Sequence, residues 1–141
     1  TLFPYTTLFR SLNVKIKNKM RKYTFSRWIK HLIAYNQTAI NLKAWKLKYI
    51  IHDIDKPVLN LFKSNEYVKN YHRTHSKHHV EYSNIMKQDY IAMVIDWECS
   101  DITKPDKHLN AVATYNKYYK NIMTQTQRAK LNSALKKLGL I

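Results

Sequence analysis

Apolar residues recur at helical spacing in successive stretches of the chain, and the elements they predict are helices throughout. Ser26 can cap a first helix in which Ile29, Leu32 and Ile33 share a face close to His31. A second is predicted from about Thr38, with Ile40, Ala44, Leu47 and Ile51 at spacings of four, three and four, ending in "HDIDK". Pro57 restarts the chain as a short helix through Phe62. In "THSKHHVEYSNIM" either Thr74 or Ser76 can cap another, and "KQDYIAMVIDWECS" reads as a helix apolar nearly all round. After the polar loop "DITKPDKHLN" two more follow. The last opens on "TQTQ" at Thr124 to Gln127, which resembles a capping box, and carries Leu131, Leu135 and Leu138 before Gly139 ends it.

Gly139 is the only glycine, so tight hairpins have almost no material. The predicted class is all-α: a compact helical bundle forming a single domain, with no internal repeat. Residues 1–11, "TLFPYTTLFRS", resemble the in-frame translation of a short-read sequencing adapter. They are expected to be a scar, and residues 1–19 a non-native leader. The natural chain is expected to begin at Met20, leaving one domain over residues 20–141.

Charge adds a direction. Lys and Arg number 25 against nine acids, a net +16. Such a balance attracts nucleic acid or another polyanion, although 20 of the 25 are Lys, beside 12 Asn and 11 Tyr, a mixture that AT-rich coding also produces. One cysteine, Cys99, excludes an internal disulfide, and no apolar run approaches the ~18 residues of a membrane span. A cytoplasmic protein with no membrane partner is the expectation.

Candidate chemistry gathers in the middle. His52 and Asp53 are adjacent at the end of an apolar stretch, where both can reach one ion because their side chains differ in length and direction. "YHRTHSKHHVEY" then supplies His72, His75, His78 and His79. On a helix His75 and His79 stand one turn apart, the spacing at which two imidazoles share a cation. Asp96 is the only charge between Tyr90 and Trp97. A buried carboxylate is costly unless paired or metal-bound, so either a salt bridge to a lysine or metal ligation accounts for it, with ligation favoured. Trp28, Trp45 and Trp97 are expected in the core. Cys99 reads as a buried thiol or a soft ligand.

In chain order these residues make a set: His31, then His52 and Asp53, then His75, His78 and His79, then Asp96. The order resembles the H…HD…H…H…D pattern of the HD-domain superfamily of metal-dependent phosphohydrolases. "HDIDK" is similar to the "HDIGK" of many such enzymes, with Asp55 where glycine would stand. More closely, "MRKY…HL…IIHDIDKP", "HR.HS.HH.EY" and "MVIDWE" resemble an uncharacterised family of small phage and bacterial proteins, over most of Met20 to about Tyr119.

The resemblance implies an all-α bundle with a metal site between helices. His31, His52, Asp53 and Asp96 match its core metal-binding pattern, with Asp53 a catalytic residue able to bridge two ions. His75 and His79 match the histidines of a second metal or of phosphate contact, with His72 and His78 as competing candidates. Lys56 matches the lysine of "HDxxK" and is expected to neutralise a substrate phosphate. Mixed nitrogen and oxygen donors suit Mn, Fe, Zn or Mg-like ions. The implied activity is hydrolysis of a phosphate-containing small molecule, a nucleotide among them, by metal-activated water. Two other classes stay open: a basic helical protein that binds nucleic acid, and a domain whose metal only holds helices together. Iron-dependent oxygen chemistry is a minor further option.

Overall fold

The computed structural model describes residues 25–141; the predicted leader, residues 1–19, and the start at Met20 lie outside them. The described residues are all-α with no strand, as the periodicity predicts. Helix α1 covers residues 25–41. It is followed by a 3-10 turn at Leu47–Ile51, α2 at Asp55–Leu59 and α3 at Asn65–His75. A loop with a 3-10 turn at Ile85–Lys87 leads to α4 at Tyr90–Glu98, and α5 at Ser100–Thr103 continues almost directly from it. Then come α6 at Ala111–Thr114, which runs into a π-helical turn at Tyr115–Tyr119, and α7 at Gln125–Lys137.

Helix α4 is the axis of the bundle. One face, with Tyr90, Met93, Val94 and Trp97, packs on Ala111 of α6, Met123, and Leu131, Ala134 and Leu135 of α7. The other face, with Ala92 and Ile95, packs on Ala34, Tyr35 and Ala39 of α1 and on Tyr49. Burial on both sides is what an all-round apolar helix requires. Trp97 stacks on Tyr119 with ring centroids 4.7 Å apart. The capping box of α7 forms as read from "TQTQ": Gln127 N–H donates to Thr124 Oγ1 at 3.2 Å and Thr124 N–H to Gln127 Oε1 at 2.9 Å. Gly139, at φ 70°, closes the same helix.

Several predicted elements are corrected. No helix starts at Thr38, because α1 runs through it and ends in a Schellman turn, with Lys43 at φ 55° and Ala44 N–H bonded to Ala39 C=O at 2.8 Å. A lysine fills the left-handed position that glycine usually takes, so the stop had no visible signal. The stripe predicted to follow is not buried; Leu47 is 73% exposed, and Ile40 and Ile51 are also open to solvent. On α1 Ala34, Tyr35, Thr38 and Ala39 are buried and Ile29, His31 and Leu32 half-buried, whereas Ile33 of the predicted face points out. Trp45 is likewise exposed, its indole N–H donating to Asn36 Oδ1 at 2.8 Å. In the histidine-rich segment the direction reverses. Ser64 caps α3 by accepting from Tyr67 N–H, and Ser76 ends that helix rather than starting one.

Candidate metal centre

Five segments meet beside α4: α1, the turn at residues 52–54, the first turn of α2, α3, and the loop after it. The Leu47–Ile51 turn is fastened to α1 from both ends. Asn36 Nδ2 donates to Tyr49 C=O and Trp28 Nε1 to His52 C=O, each at 2.9 Å. Tyr35 stacks on the His52 ring with centroids 3.6 Å apart. The chain then reverses at Asp53, whose φ of 58° is left-handed. A non-glycine residue held there is a local strain that surrounding contacts must overcome. It turns the Asp53 side chain, 1% exposed, into the interior.

Around Asp53 the donors form two main groups, and a third, overlapping one joins Asp53, Asp55 and His72. In the first, His31 Nε2 lies 3.0 Å from Asp96 Oδ1 and 3.5 Å from Asp53 Oδ2, while His52 Nε2 lies 3.2 Å from Asp53 Oδ1 and 3.6 Å from Asp96 Oδ1. The second holds His72, His78 and His79. Asp53 Oδ1 faces this group as well, 3.1 Å from His72 Nε2 and 3.3 Å from His78 Nε2. Within each group one donor atom per residue lies inside 4.8 Å of the others, compatible with a bound cation. Asp53 thus stands between the two.

Hydrogen bonding gives the donor atoms their meaning. His31, His52, His72, His78 and His79 all bury Nε2 without a hydrogen-bond partner, and Asp53 Oδ1 is buried in the same condition. Four of the imidazoles approach Asp53 Oδ1 or its neighbouring carboxylate oxygens at ion-pair distances and His79 lies beside His72 and His78, yet none of these Nε2 atoms meets the directional requirement of a hydrogen bond. Each buried polar atom left so costs about 1–3 kcal/mol, and six converging on one spot is the pattern of lone pairs aimed at a cation. The opposite edge of the ring is occupied where it can be. His72 Nδ1 bonds Asp55 Oδ2 at 2.7 Å and Ser76 Oγ at 3.1 Å, and His31 Nδ1 faces the Cys99 thiol at 3.8 Å. A carboxylate on Nδ1 fixes the tautomer that leaves Nε2 free for a metal.

Charge in the metal-free centre follows from burial and neighbours. Burial would raise Asp53 and Asp96, but the surrounding imidazoles, with Lys56 beside Asp53, hold both well below the carboxylate range. For His31, burial is outweighed by Asp53 and Asp96, and it is pushed up to about 12. His72 is raised in the same way through Asp53 and Asp55. Burial lowers His52, and burial with His78 nearby lowers His79 to about 3.

The structure therefore brings together His31, His52, Asp53, Asp96, His72, His78 and His79, with Lys56 Nζ bonded to Asp53 Oδ2. It does not bring in His75. That ring is exposed, stacks on Tyr71 at 3.9 Å between centroids, and bonds Tyr71 C=O through Nδ1. His75 is the last residue of α3 and His79 lies past its end, so the pairing expected at one helical turn is absent. Accordingly His75→Ala is expected to leave metal content unchanged and His72→Ala or His78→Ala to lower it, as elemental analysis of the purified proteins would show. Cys99 is buried with its thiol donating to Asp96 C=O at 3.1 Å, in a supporting position.

Two supporting residues escaped the sequence reading. Asp55 orients His72, and its only signal was a carboxylate two places after Asp53. Asp55→Asn is expected to weaken metal binding by about 10–100-fold, measured by competition with a chelating dye. Gln88 is buried in the loop that carries His78 and His79, its Nε2 directed at the carbonyls of His79, Val80 and Tyr82 within 3.1 Å. Its Oε1 accepts from Tyr90 Oη at 2.7 Å and Gln127 Nε2 at 3.2 Å. Nothing in the local pattern marks a glutamine for such a role. No helix among the described residues is long and apolar enough to cross a membrane. Comparison of the chain with protein-family models, with curated proteins and with solved structures gave no match in any of the three, and the account of the centre rests on its own geometry.

Proposed function

We propose that the chain is a metal-dependent phosphohydrolase of HD-like type that hydrolyses a phosphate ester. The observation that carries this reading is the convergence of five buried imidazole nitrogens and Asp53 Oδ1, all without hydrogen-bond partners, beside a lysine that bonds Asp53 Oδ2. His31, His52, Asp53 and Asp96 would hold one divalent ion, and His72, His78 and His79 a second, with Asp53 shared. A nitrogen-rich donor set favours Mn, Fe or Zn over Mg, which prefers oxygen ligands. An ion held there supplies Lewis acidity toward a phosphoryl oxygen and makes water acidic enough to attack near neutral pH.

The remaining roles belong to the chain itself. A cavity of about 260 Å³ leads to the cluster, lined in part by His52, Asp53, Asp55, His72, Lys48 and Lys77. Lys56, with its side chain 35% exposed, can turn from Asp53 toward a substrate phosphate and offset its charge. Asp55 and Ser76 keep His72 in one tautomer, and Tyr35 holds the His52 ring flat against α1. A phosphomonoester or a nucleotide is the substrate class this setting suits.

The test is elemental analysis of the purified protein, followed by release of phosphate from a panel of nucleotides and para-nitrophenyl phosphate after loading with Mn, Fe or Zn. Near-stoichiometric metal with turnover of at least one ester is expected. A protein that takes up metal, unfolds when chelated and turns over none would show instead a structural centre, a reading favoured by the five segments the cluster ties together.

A further inference from the structure

A second, larger cavity of about 950 Å³ runs along α7 and the loop before α4. Five lysines line it, Lys48, Lys77, Lys87, Lys130 and Lys137, against one acid, Asp89. That acid is already engaged: Asp89 Oδ2 pairs with Lys48 Nζ at 2.7 Å, and Oδ1 caps α4 through Ala92 N–H at 3.0 Å. On α7 the lining residues Ala129, Ser133 and Ala134 are small and leave room between the lysines. Lys48, Lys77 and Asp89 line this groove and also the cavity over the histidine–aspartate cluster, so the two adjoin along these residues.

We infer that the groove holds the sugar-phosphate backbone of a single-stranded nucleic acid and delivers one of its phosphates to the cluster. The inference rests on the phosphohydrolase reading and names its substrate as a strand rather than a free nucleotide. A mononucleotide could be satisfied within the 260 Å³ cavity and would leave the groove's lysines other than Lys48 without a phosphate to face. Lysine is a point charge suited to phosphates and reads no base. The groove's aromatic, Tyr90, is buried with its hydroxyl on Gln88, so it offers no stacking platform and recognition runs through the backbone. In the reaction water forms a new bond to phosphorus, the ester P–O bond breaks, and the departing oxygen takes the proton that water loses.

The experiment measures binding of a fluorescein-labelled oligothymidylate of about 15 nucleotides, within the span of single-strand sites, by anisotropy at several salt concentrations. Para-nitrophenyl phosphate hydrolysis is measured alongside on the metal-loaded full chain. The variants are K87A/K130A/K137A and a charge-matched control, K69A/K104A/K107A, whose lysines are exposed elsewhere. The groove variant is expected to bind at least about tenfold more weakly, with a log–log salt slope shallower by about two, at ~0.7 per lost phosphate contact. Its ratio of strand to small-ester turnover should fall, and the control should change neither. Equal weakening by the control would overturn the groove in favour of net charge alone. Competition by poly-glutamate as strong as by unlabelled strand would overturn the nucleic-acid assignment. Ester hydrolysis without strand binding retains the phosphohydrolase and removes the groove. Strand binding with no hydrolysis of any ester removes the strand as substrate together with the phosphohydrolase reading.

Discussion

Asp53→Asn is expected to give a folded, helical protein that carries little metal and hydrolyses phosphate esters at least about a thousandfold more slowly, since the ion supplies several kcal/mol of transition-state stabilisation. Asparagine suits the test because it accepts a left-handed backbone as readily as aspartate does, so the φ of 58° adds no new strain. What changes is charge and donor character at the atom between both donor groups. Oδ1 sits within 3.3 Å of His52, His72 and His78 Nε2, and Lys56 loses its anionic partner. An amide there offers a cation either a weak carbonyl or a repelling NH₂. Elemental analysis, circular dichroism and a phosphatase assay on the same preparation separate the outcomes. A variant that keeps both metal and rate would remove Asp53 from the centre.

Chelation is expected to lower the melting temperature by about 10 °C. An ion at a hundred times its Kd stabilises by ~2.7 kcal/mol, and each kcal/mol moves a domain of this size by roughly 4 °C. The effect should depend on pH in a set direction. In the metal-free protein His31 holds its proton up to about 12, and His72 is raised as well. Metal ligation needs both nitrogens free, so binding expels protons and apparent affinity should rise between about pH 6 and 8. Stability of the metal-free form bends both ways. His31 and His72 lie above their unfolded value of 6.5, so their contribution is full below pH 6.5 and is lost as pH rises above it, for His31 toward about 12. His52 and His79 lie below 6.5, so theirs is full above it and is lost as pH falls below it, for His79 toward about 3. Asp53 and Asp96, held well below 3.8, add to the loss on the acid side. The chelated protein should therefore melt highest near pH 6.5 and the loaded one should keep its stability on the alkaline side. Melting curves at about pH 5, 6.5 and 9, with and without chelator, check this; curves that superimpose would mean that no ion occupies the cluster.

The elements legible in the sequence were those whose signal is local. Glycine scarcity and 3.6-residue periodicity give the all-α class, and the capping box at Thr124 and the stop at Gly139 depend on residues within one turn. Misread elements lacked such a signal. Lys43 ends α1 in a conformation usually left to glycine, and of the run Ile40, Ala44, Leu47, Ile51, which matches a helical stripe, only Ala44 packs against the core while the other three stay exposed. Periodicity records which positions could be buried together, and whether a partner surface arrives depends on the rest of the chain.

By itself the sequence determined the class of the fold, the all-round apolar character of α4, and the residue types from which a metal centre could be built, since composition and short-range spacing reach that far. His52, Asp53 and Asp96 were legible because an isolated charge in an apolar helix and a His-Asp pair are local anomalies that burial makes costly, whereas His31 entered only through the resemblance. Tertiary structure decided which of four crowded histidines turn inward. Ending α3 at His75 sends that ring to solvent, and the Gln88–Tyr90–Gln127 network holds the next loop so that His78 reaches Asp53 alongside His72, with His79 grouped beside them. It also decided that Asp55 supports His72 and that lysines from four separate segments share one groove. Each of these is a contact between residues distant along the chain, formed only when packing brings their segments together.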